Sequence, residues 1–427
     1  MKLKGADVLV AGAGPVGMFM ALRLAQEGLS VRVVESAAAP ASHSYALALH
    51  PESLELLDQL GLAAPVLASA TRVSRLMLHA SGEHTAMIDL SQLDRRYPFL
   101  AIIQQDVLER HLVAALQDRH IEVLWNHRLA RFQQDSDGVD VQVDRLSQYG
   151  TGYALAHLER MVQDTYDGRF GFLIGADGNH SLVRLQSRVD FPASSPSQHY
   201  AVFEFQSRCA PSDQAHLVLD DRTTNVLWPL PGGLQRWSWQ LQEFEASVYS
   251  REKDHELVEI GSGRFPKFEH DLLLRLIRER APWFEAGSVG YIRWSIAVRF
   301  EKRLASRFGQ DRVWLVGDAA HLTLPAGIQS MNVGFREAEH LACLLTDAAR
   351  RHQLEALEDY NKSFTDEWRQ LQGLDAGLEA GPKTPPWIAD LADRLLPSLP
   401  ASGRDLRALA AQLGLQAPAL AAGAAPA

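Results

Sequence analysis

One short run constrains the fold more than any other: DVLVAGAGPVG, residues 7–17. An apolar stretch followed by Gly-x-Gly-x-x-Gly reads as a buried strand turning sharply into a helix. Gly12 permits the tight turn, Gly14 lets backbone approach a pyrophosphate, and Gly17 lets the helix pack closely on the strand. The helix is expected over 16–27, with Val16, Met20, Leu22 and Leu24 apolar. Its first turn, entered through Pro15 and Val16, offers unpaired N–H groups and a positive dipole end to phosphates. SVRVV at 30–34 is the next strand, and it ends on Glu35, placed to accept bonds from an adenosine ribose. The bland alternative is a Gly-rich turn followed by a solvated glutamate. The basic start and apolar run also resemble an export signal, but glycines and a proline interrupt that run, which favours strand–turn–helix.

The chain has 427 residues, enough for two domains or one large domain with an insertion. Hydrophobic residues make up 46% and charged residues 22%, the balance of a chain with a full-sized core. A formal charge of −10 argues against nucleic-acid binding, which rewards net positive charge. Cys209 and Cys343 form no metal-type pair, which argues against a disulfide framework, a zinc site or an iron–sulfur cluster and fits a reducing, cytoplasmic compartment. No run of 18 apolar residues is present, so no membrane span is expected.

Two further segments place acidic residues at strand ends. FGFLIGADGNHSLVR puts Asp177 and Gly178 after an apolar strand, where open α/β sheets gather ligand groups. Taken alone it reads equally as an Asp-Gly turn before a helix. RVWLVGDAAHLTLPAGIQSMN repeats the pattern at Gly317 and Asp318, the latter placed to accept a sugar-alcohol hydroxyl. Pro325 and Gly327 follow in a loop that lets backbone approach a flat ring, and a helix is expected over 332–349. N–H groups near Met331 and Asn332 can stabilise negative charge on that ring. Between these segments, 105–118 is an amphipathic helix, GVDVQVD alternates as a strand, and QYGTGYALAHLERMVQDTYDG fits no pattern. WPLPGGLQRWSWQL marks an inserted sheet, and the Ala/Pro-rich last dozen residues read as a frayed tail.

In order and spacing, the three segments resemble the FAD motifs of the single-component FAD-dependent aromatic hydroxylases, the class A flavoprotein monooxygenases of the para-hydroxybenzoate hydroxylase type. The resemblance covers most of residues 5–350. It implies an α/β FAD-binding dinucleotide fold, glutathione-reductase-like, with an inserted mainly β substrate domain and C-terminal helices. The expected division is a discontinuous FAD domain (1–75, 100–185, 286–370), a substrate domain (76–99, 186–285) and a C-terminal helical segment (371–427). Gly12, Gly14, Gly17 and Glu35 are then implied to hold the ADP half of non-covalent FAD. Gln105 would face the flavin chain, Arg110 the phosphates, Asp177 and Gly178 both FAD and NAD(P)H, Asp318 the ribityl chain, and Pro325 and Gly327 the isoalloxazine ring. Three positions depart from the family: Tyr45 stands near its usual arginine, and Ile328 and Ser330 replace two glycines of Pro-x-Gly-Gly-Gln-Gly-Met-Asn. The chain also ends before the thioredoxin-like third domain of longer members.

The resemblance implies a monooxygenase that uses NAD(P)H and O2 to hydroxylate an aromatic or polyketide-like molecule through a flavin 4a-hydroperoxide. No side chain stands out as a catalytic acid, base or nucleophile. On the same fold the alternatives are a flavin oxidase or dehydrogenase, a Baeyer–Villiger-type oxygenase, or a non-enzymatic FAD-binding protein. No segment reads as a second dinucleotide fold, so NADH and NADPH stay equally open. The substrate is expected between the FAD domain and the inserted sheet. Trp228, Trp237, Trp239, Arg293 and Trp294 are candidate lining residues, each with core packing or a surface ion pair as the alternative. His43 and His321 are polar candidates near the flavin or structural histidines. The expected assembly is a monomer or homodimer.

Overall fold

The computed structural model describes residues 2–40, 48–80, 84–150, 158–209, 212–242, 257–260, 263–266, 268–351 and 353–417. His43 and Tyr45, and most of the expected frayed tail, lie outside these residues.

The apolar runs become the sheet that carries the site. Val8–Ala11, Phe172–Gly175 and Val313–Leu315 are buried at every position, as strands covered on both faces must be. The six-stranded order is Gly309–Gln310, Val313–Leu315, Phe172–Gly175, Val8–Ala11, Val31–Glu35, Val123–Trp125. All pairs are parallel except the first. Helix Pro15–Gln26 opens with proline in its first turn, where a missing N–H costs nothing. It packs between helices Gln105–Asp118 and Gln329–Arg351, with Phe19 4.9 Å from the ring of Phe335.

A seven-stranded sheet stands against this core: Val289–Phe300, Gln198–Ser207, Leu234–Leu241, Thr224–Pro229, Gln214–Leu219, Arg75–Ala80, Thr85–Asp89. It reaches past residue 285, because the alternation in YIRWSIAVRF pairs Val289–Phe300 with Gln198–Ser207. A third sheet joins His127–Gln134, Val139–Gly150 and Leu158–Phe170, which gives a strand to part of the run that fitted no pattern. The helix expected over 332–349 begins at Gln329, three residues earlier, and runs to Arg351.

C-terminal residues strap the two sheets together. Arg394 Nη1 and Nη2 donate to the carbonyls of Asp220 and Thr223, on the loop between two strands of the seven-stranded sheet. The Arg95 guanidinium, 5% exposed, meets Glu52 at 3.2 Å, Glu55 at 2.8 Å and Asp405 at 3.0 Å. Among the described residues no helix is long and apolar enough to cross a membrane.

Candidate active site

The three glycines of the first motif are set apart by what a side chain would meet. A Cβ on Gly12 would lie 2.1 Å from the Ala176 carbonyl oxygen, and one on Gly17 would lie 2.2 Å from that of Gly12. Gly12 also holds φ +108°, in the region only glycine adopts readily. At Gly14 a Cβ meets nothing within 4 Å among the described residues. Gly12 and Gly17 are therefore closed by packing, while Gly14 borders free space at a helix start that no side chain caps. A concave backbone face next to unpaired first-turn N–H groups fits a pyrophosphate. Glu35 braces the turn: Oε2 accepts the Ala13 N–H at 2.8 Å and Oε1 the Ala37 N–H at 2.7 Å. Oε1 also accepts from Ser36 Oγ at 3.1 Å, so it is Oε2 that keeps a lone pair for a ribose hydroxyl.

Asp177 lies just beyond the end of Phe172–Gly175. Its Oδ2 accepts from Leu182 N–H at 2.7 Å and Val183 N–H at 3.2 Å, capping the next helix, while the buried Oδ1 has no hydrogen-bond partner among the described residues. Burial raises its pKa above the usual carboxylate value. Gly178 follows at φ +75°. Arg184, unmarked by sequence reasoning, joins the second motif to the third by donating to Ala319 O at 2.7 Å and Asn179 O at 2.6 Å.

The third motif closes on the first. Val16 is the nearest neighbour of the Cβ positions of both Gly317 and Gly334, so the two glycine segments interlock around it. Gly317 has φ +62° and donates its N–H to Glu337 Oε2 at 2.8 Å. Asp318 is exposed on one side, and desolvation by the fold around it raises its pKa. Ser330 donates to its Oδ1. Asn332 spends its side chain on structure, accepting from His50 N–H and Ser53 Oγ and donating to Ala48 O and Ile328 O. Met331 is buried beside it. Gly327 makes its close approach to protein: a Cβ there would meet Pro397 O at 2.6 Å and Leu399 O at 2.9 Å. Gln105 is half-buried and donates to Glu109 at 2.8 Å. Arg110 is mostly exposed and pairs with Asp106 at 2.9 Å on its own helix.

Pro325 and Ile328 press against one face of the seven-stranded sheet. The pocket between them is lined by Trp228, Arg236, Trp294 and Phe300, among others. Strand register explains which tryptophans reach it. Trp228 stands opposite Arg236 and shares its face, whereas Leu227 stands opposite Trp237. Trp237 and Trp239 therefore point to the far side, stacked 4.2 Å apart in a core with helix His270–Arg280. Arg293 lies outside the pocket, half-exposed and 3.2 Å from the buried Glu204. Arg236, which sequence reasoning passed over, is buried, 2.7 Å from Glu204 and 4.8 Å over the Trp294 ring. Its place one residue before the alternating tryptophans of RWSW was the available signal, since that alternation puts Arg236 on the face opposite Trp237 and Trp239. Among the described residues no group of three or more His, Cys, Asp or Glu can hold a metal.

A family model described as an FAD binding domain matches residues 5–371. The chain is 29% identical over 344 residues to 12-dehydrotetracycline 5-monooxygenase/anhydrotetracycline 6-monooxygenase of Streptomyces rimosus, covering 78% of this chain and 61% of that protein. It is 28% identical over 358 residues to 3-(3-hydroxy-phenyl)propionate/3-hydroxycinnamic acid hydroxylase 1 of Burkholderia vietnamiensis, covering 83% and 52%. The chain thus spans about three-fifths or less of the length of these relatives. Among solved structures, p-nitrophenol 4-monooxygenase of Pseudomonas putida shares the fold, with a TM-score of 0.69, 21% identity, and 95% and 94% of the two chains covered. The three motifs, the sheet order and these matches agree: the chain belongs to the FAD-binding-domain family, and within it is similar to single-component aromatic hydroxylases.

Proposed function

We propose that the chain is an FAD-dependent monooxygenase that uses NAD(P)H and O2 to hydroxylate an aromatic or polyketide-like small molecule. The observation that carries this reading is the juxtaposition of an aromatic-lined pocket with the loop leading from Asp318 to helix Gln329–Arg351. In this reading Gly12, Gly14, Pro15, Val16, Gly17 and Glu35 hold the adenosine diphosphate half of FAD. Asp318, the 325–327 loop and the helix start at Met331 and Asn332 hold the flavin half. Gln105, Arg110, Asp177, Gly178 and Gly317 complete the surround. Bound FAD supplies the electron-transfer and oxygen chemistry. The protein's part is to position the ring, exclude water and present the substrate from the sheet side, where Trp228 and Trp294 offer flat faces. Relatives named for acting on tetracycline intermediates and hydroxyphenylpropionate support the substrate class.

The test is turnover under 18O2 with NADH or NADPH against a phenolic and polycyclic panel, after release and identification of the flavin. One labelled oxygen in the product is expected. Stoichiometric hydrogen peroxide with an unlabelled oxidised product and no need for NAD(P)H would make it an oxidase. Flavin that no nicotinamide reduces, with or without substrate, would favour a binding protein. Asp318→Ala is expected to weaken FAD retention by about 1.5–3 kcal/mol, the range for a charge-assisted bond. Arg293→Ala, outside the pocket, leaves FAD retention unchanged; equal loss in both variants would refute the placement of Asp318.

A further inference from the structure

The loop 325–329 is held from two sides. On the dinucleotide side, His50 Nε2 bonds Gly327 O at 3.1 Å, and Asn332 Nδ2 donates to Ile328 O at 2.7 Å. On the other side lies the turn after the short helix Ala392–Leu395. The fully buried Gln329 shares its two amide N–H groups among the carbonyls of Leu396, Leu399 and Ala401, at 3.2, 3.2 and 3.3 Å. Its Oε1 has no partner among the described residues, so within them the side chain bonds to this turn alone. The Pro397 and Leu399 carbonyls also press on Gly327, where a Cβ would not fit.

The same segment is fastened to another wall of the pocket. The Arg394 guanidinium donates to the carbonyls of Asp220 and Thr223 and reaches Thr224 Oγ1 at 3.2 Å. Thr224 begins the strand Thr224–Pro229, whose Trp228, four residues on and on the same face, lines the pocket with Pro325 and Ile328. Ser398 Oγ ties the segment to itself by donating to Arg394 O at 2.6 Å. Residues 392–401 therefore run from the end of the seven-stranded sheet to the loop that carries Ile328. Among the described residues Ile328 is the one β-branched side chain at positive φ, +47°. Such a conformation persists only where the surroundings over-determine it. Glycine at the same place would have no strain to release.

We propose that residues 392–401 are a strap that keeps the 325–329 loop in its strained conformation, with Gln329 and Arg394 as the two fastenings, so that the loop takes its position from the end of the substrate-side sheet. Gln329 and Arg394 are positioning residues: neither lines the pocket, and both act on it through Ile328. Losing either fastening removes contacts that oppose the relaxation of Ile328, while His50 and Asn332 still hold the loop from the dinucleotide side. The consequence for a bound flavin ring rests on the proposed function; the strap does not.

The test is hydrogen exchange of the full chain followed by mass spectrometry, read over the peptide that contains the buried amides of Ala326, Gly327 and Ile328. Arg394→Met removes the donors and keeps most of the side chain's length. Exchange of this peptide is expected to rise roughly 5- to 30-fold, the factor that left-handed strain at one residue supports, while the core strand Val8–Ala11 keeps its rate. Arg394→Lys, which can still donate to the Asp220 and Thr223 carbonyls, should restore most of the protection. In an Ile328→Gly background, where no strain is left to release, Arg394→Met should leave exchange almost unchanged. If Arg394→Met loosens the whole chain, so that Val8–Ala11 also exchanges faster, Ser398→Ala is read instead. It cuts the hydrogen bond inside the strap, and the same contrast between the two backgrounds is expected at smaller size. With either variant, an equal rise in both backgrounds, or no rise in the parent, overturns the proposal. Chromatography of the flavin released from the same preparations tests the FAD reading separately, so either can fail alone.

Discussion

Ile328 sits at φ +47°, a left-handed backbone conformation that a β-branched residue almost never adopts. It is 9% exposed and lines the pocket with Pro325, so its burial holds it there against that strain. Alanine would keep part of the backbone cost and lose the burial, whereas glycine loses the burial but relieves the strain. Ile328→Gly is therefore expected to be about 1 kcal/mol more stable than Ile328→Ala, reversing the usual order, as read from urea denaturation midpoints. The glycine turn offers a second contrast. Gly14→Val adds a side chain into free space, so the apoprotein keeps its circular dichroism and melting temperature while flavin content falls to background. Gly17→Val drives a Cβ into the Gly12 carbonyl, 2.2 Å away, and is expected to abolish folded protein altogether. Loss of fold in both, or flavin retained by Gly14→Val, would contradict the division of labour.

Arg95 ties three elements together: helix Pro51–Gln59 through Glu52 and Glu55, helix Gly403–Gln412 through Asp405, and its own loop. Arg95→Met leaves three carboxylates facing one another without their shared cation. A destabilisation of about 3–5 kcal/mol is expected in chemical denaturation. Asp405→Asn, which removes one charge and keeps a hydrogen-bond acceptor, should cost less. At this scale the sequence was legible where a period or a strand end carries the message. The apolar runs before Gly12, Asp177 and Asp318 announced three parallel strands, with those residues at or just beyond their carboxyl ends. Alternation in RWSW announced that Trp237 and Trp239 share a face, but parity alone does not say which face meets the pocket. That was set by the pairing of Trp228 with Arg236. The ties of Arg95, Arg184 and Arg394 were not legible either, because their partners are distant in the chain and an arginine in a loop carries no period. Gly327 shows the converse: the motif marked a close approach, and only the packed C-terminal segment reveals that the Pro397 and Leu399 carbonyls make it.

For the molecule as a whole, acid is the condition most informative about the core. His50 is buried against Gly327 O and its pKa is lowered from 6.5 to about 3, while His79 and His216, 3.0 Å apart beneath Trp283, are lowered to about 4, all mainly by burial. Below pH 6.5 the unfolded chain binds protons at these sites that the folded chain does not. Their contribution is therefore fully present above the unfolded pKa and is lost as pH falls toward 3–4. His50→Gln, which can still donate to Gly327 O, should flatten the pH dependence of stability between pH 6 and 4 by about 1.4 kcal/mol per pH unit, one proton's worth. An unchanged slope would mean that His50 is protonated in the folded state. The sheet order has its own consequence, one of timing. Val8–Ala11 gains its neighbour Val31–Glu35 almost at once, but its other neighbour, Phe172–Gly175, follows only after roughly 160 further residues. At a synthesis rate of ~5–20 residues per second, the central strand waits about 8–30 s on the ribosome with one edge unpaired. During that interval the fully apolar strand Val8–Ala11 is a template for wrong partners. Yield in a cell should therefore depend on whether a holding chaperone reaches the first thirty-five residues before the second motif is made.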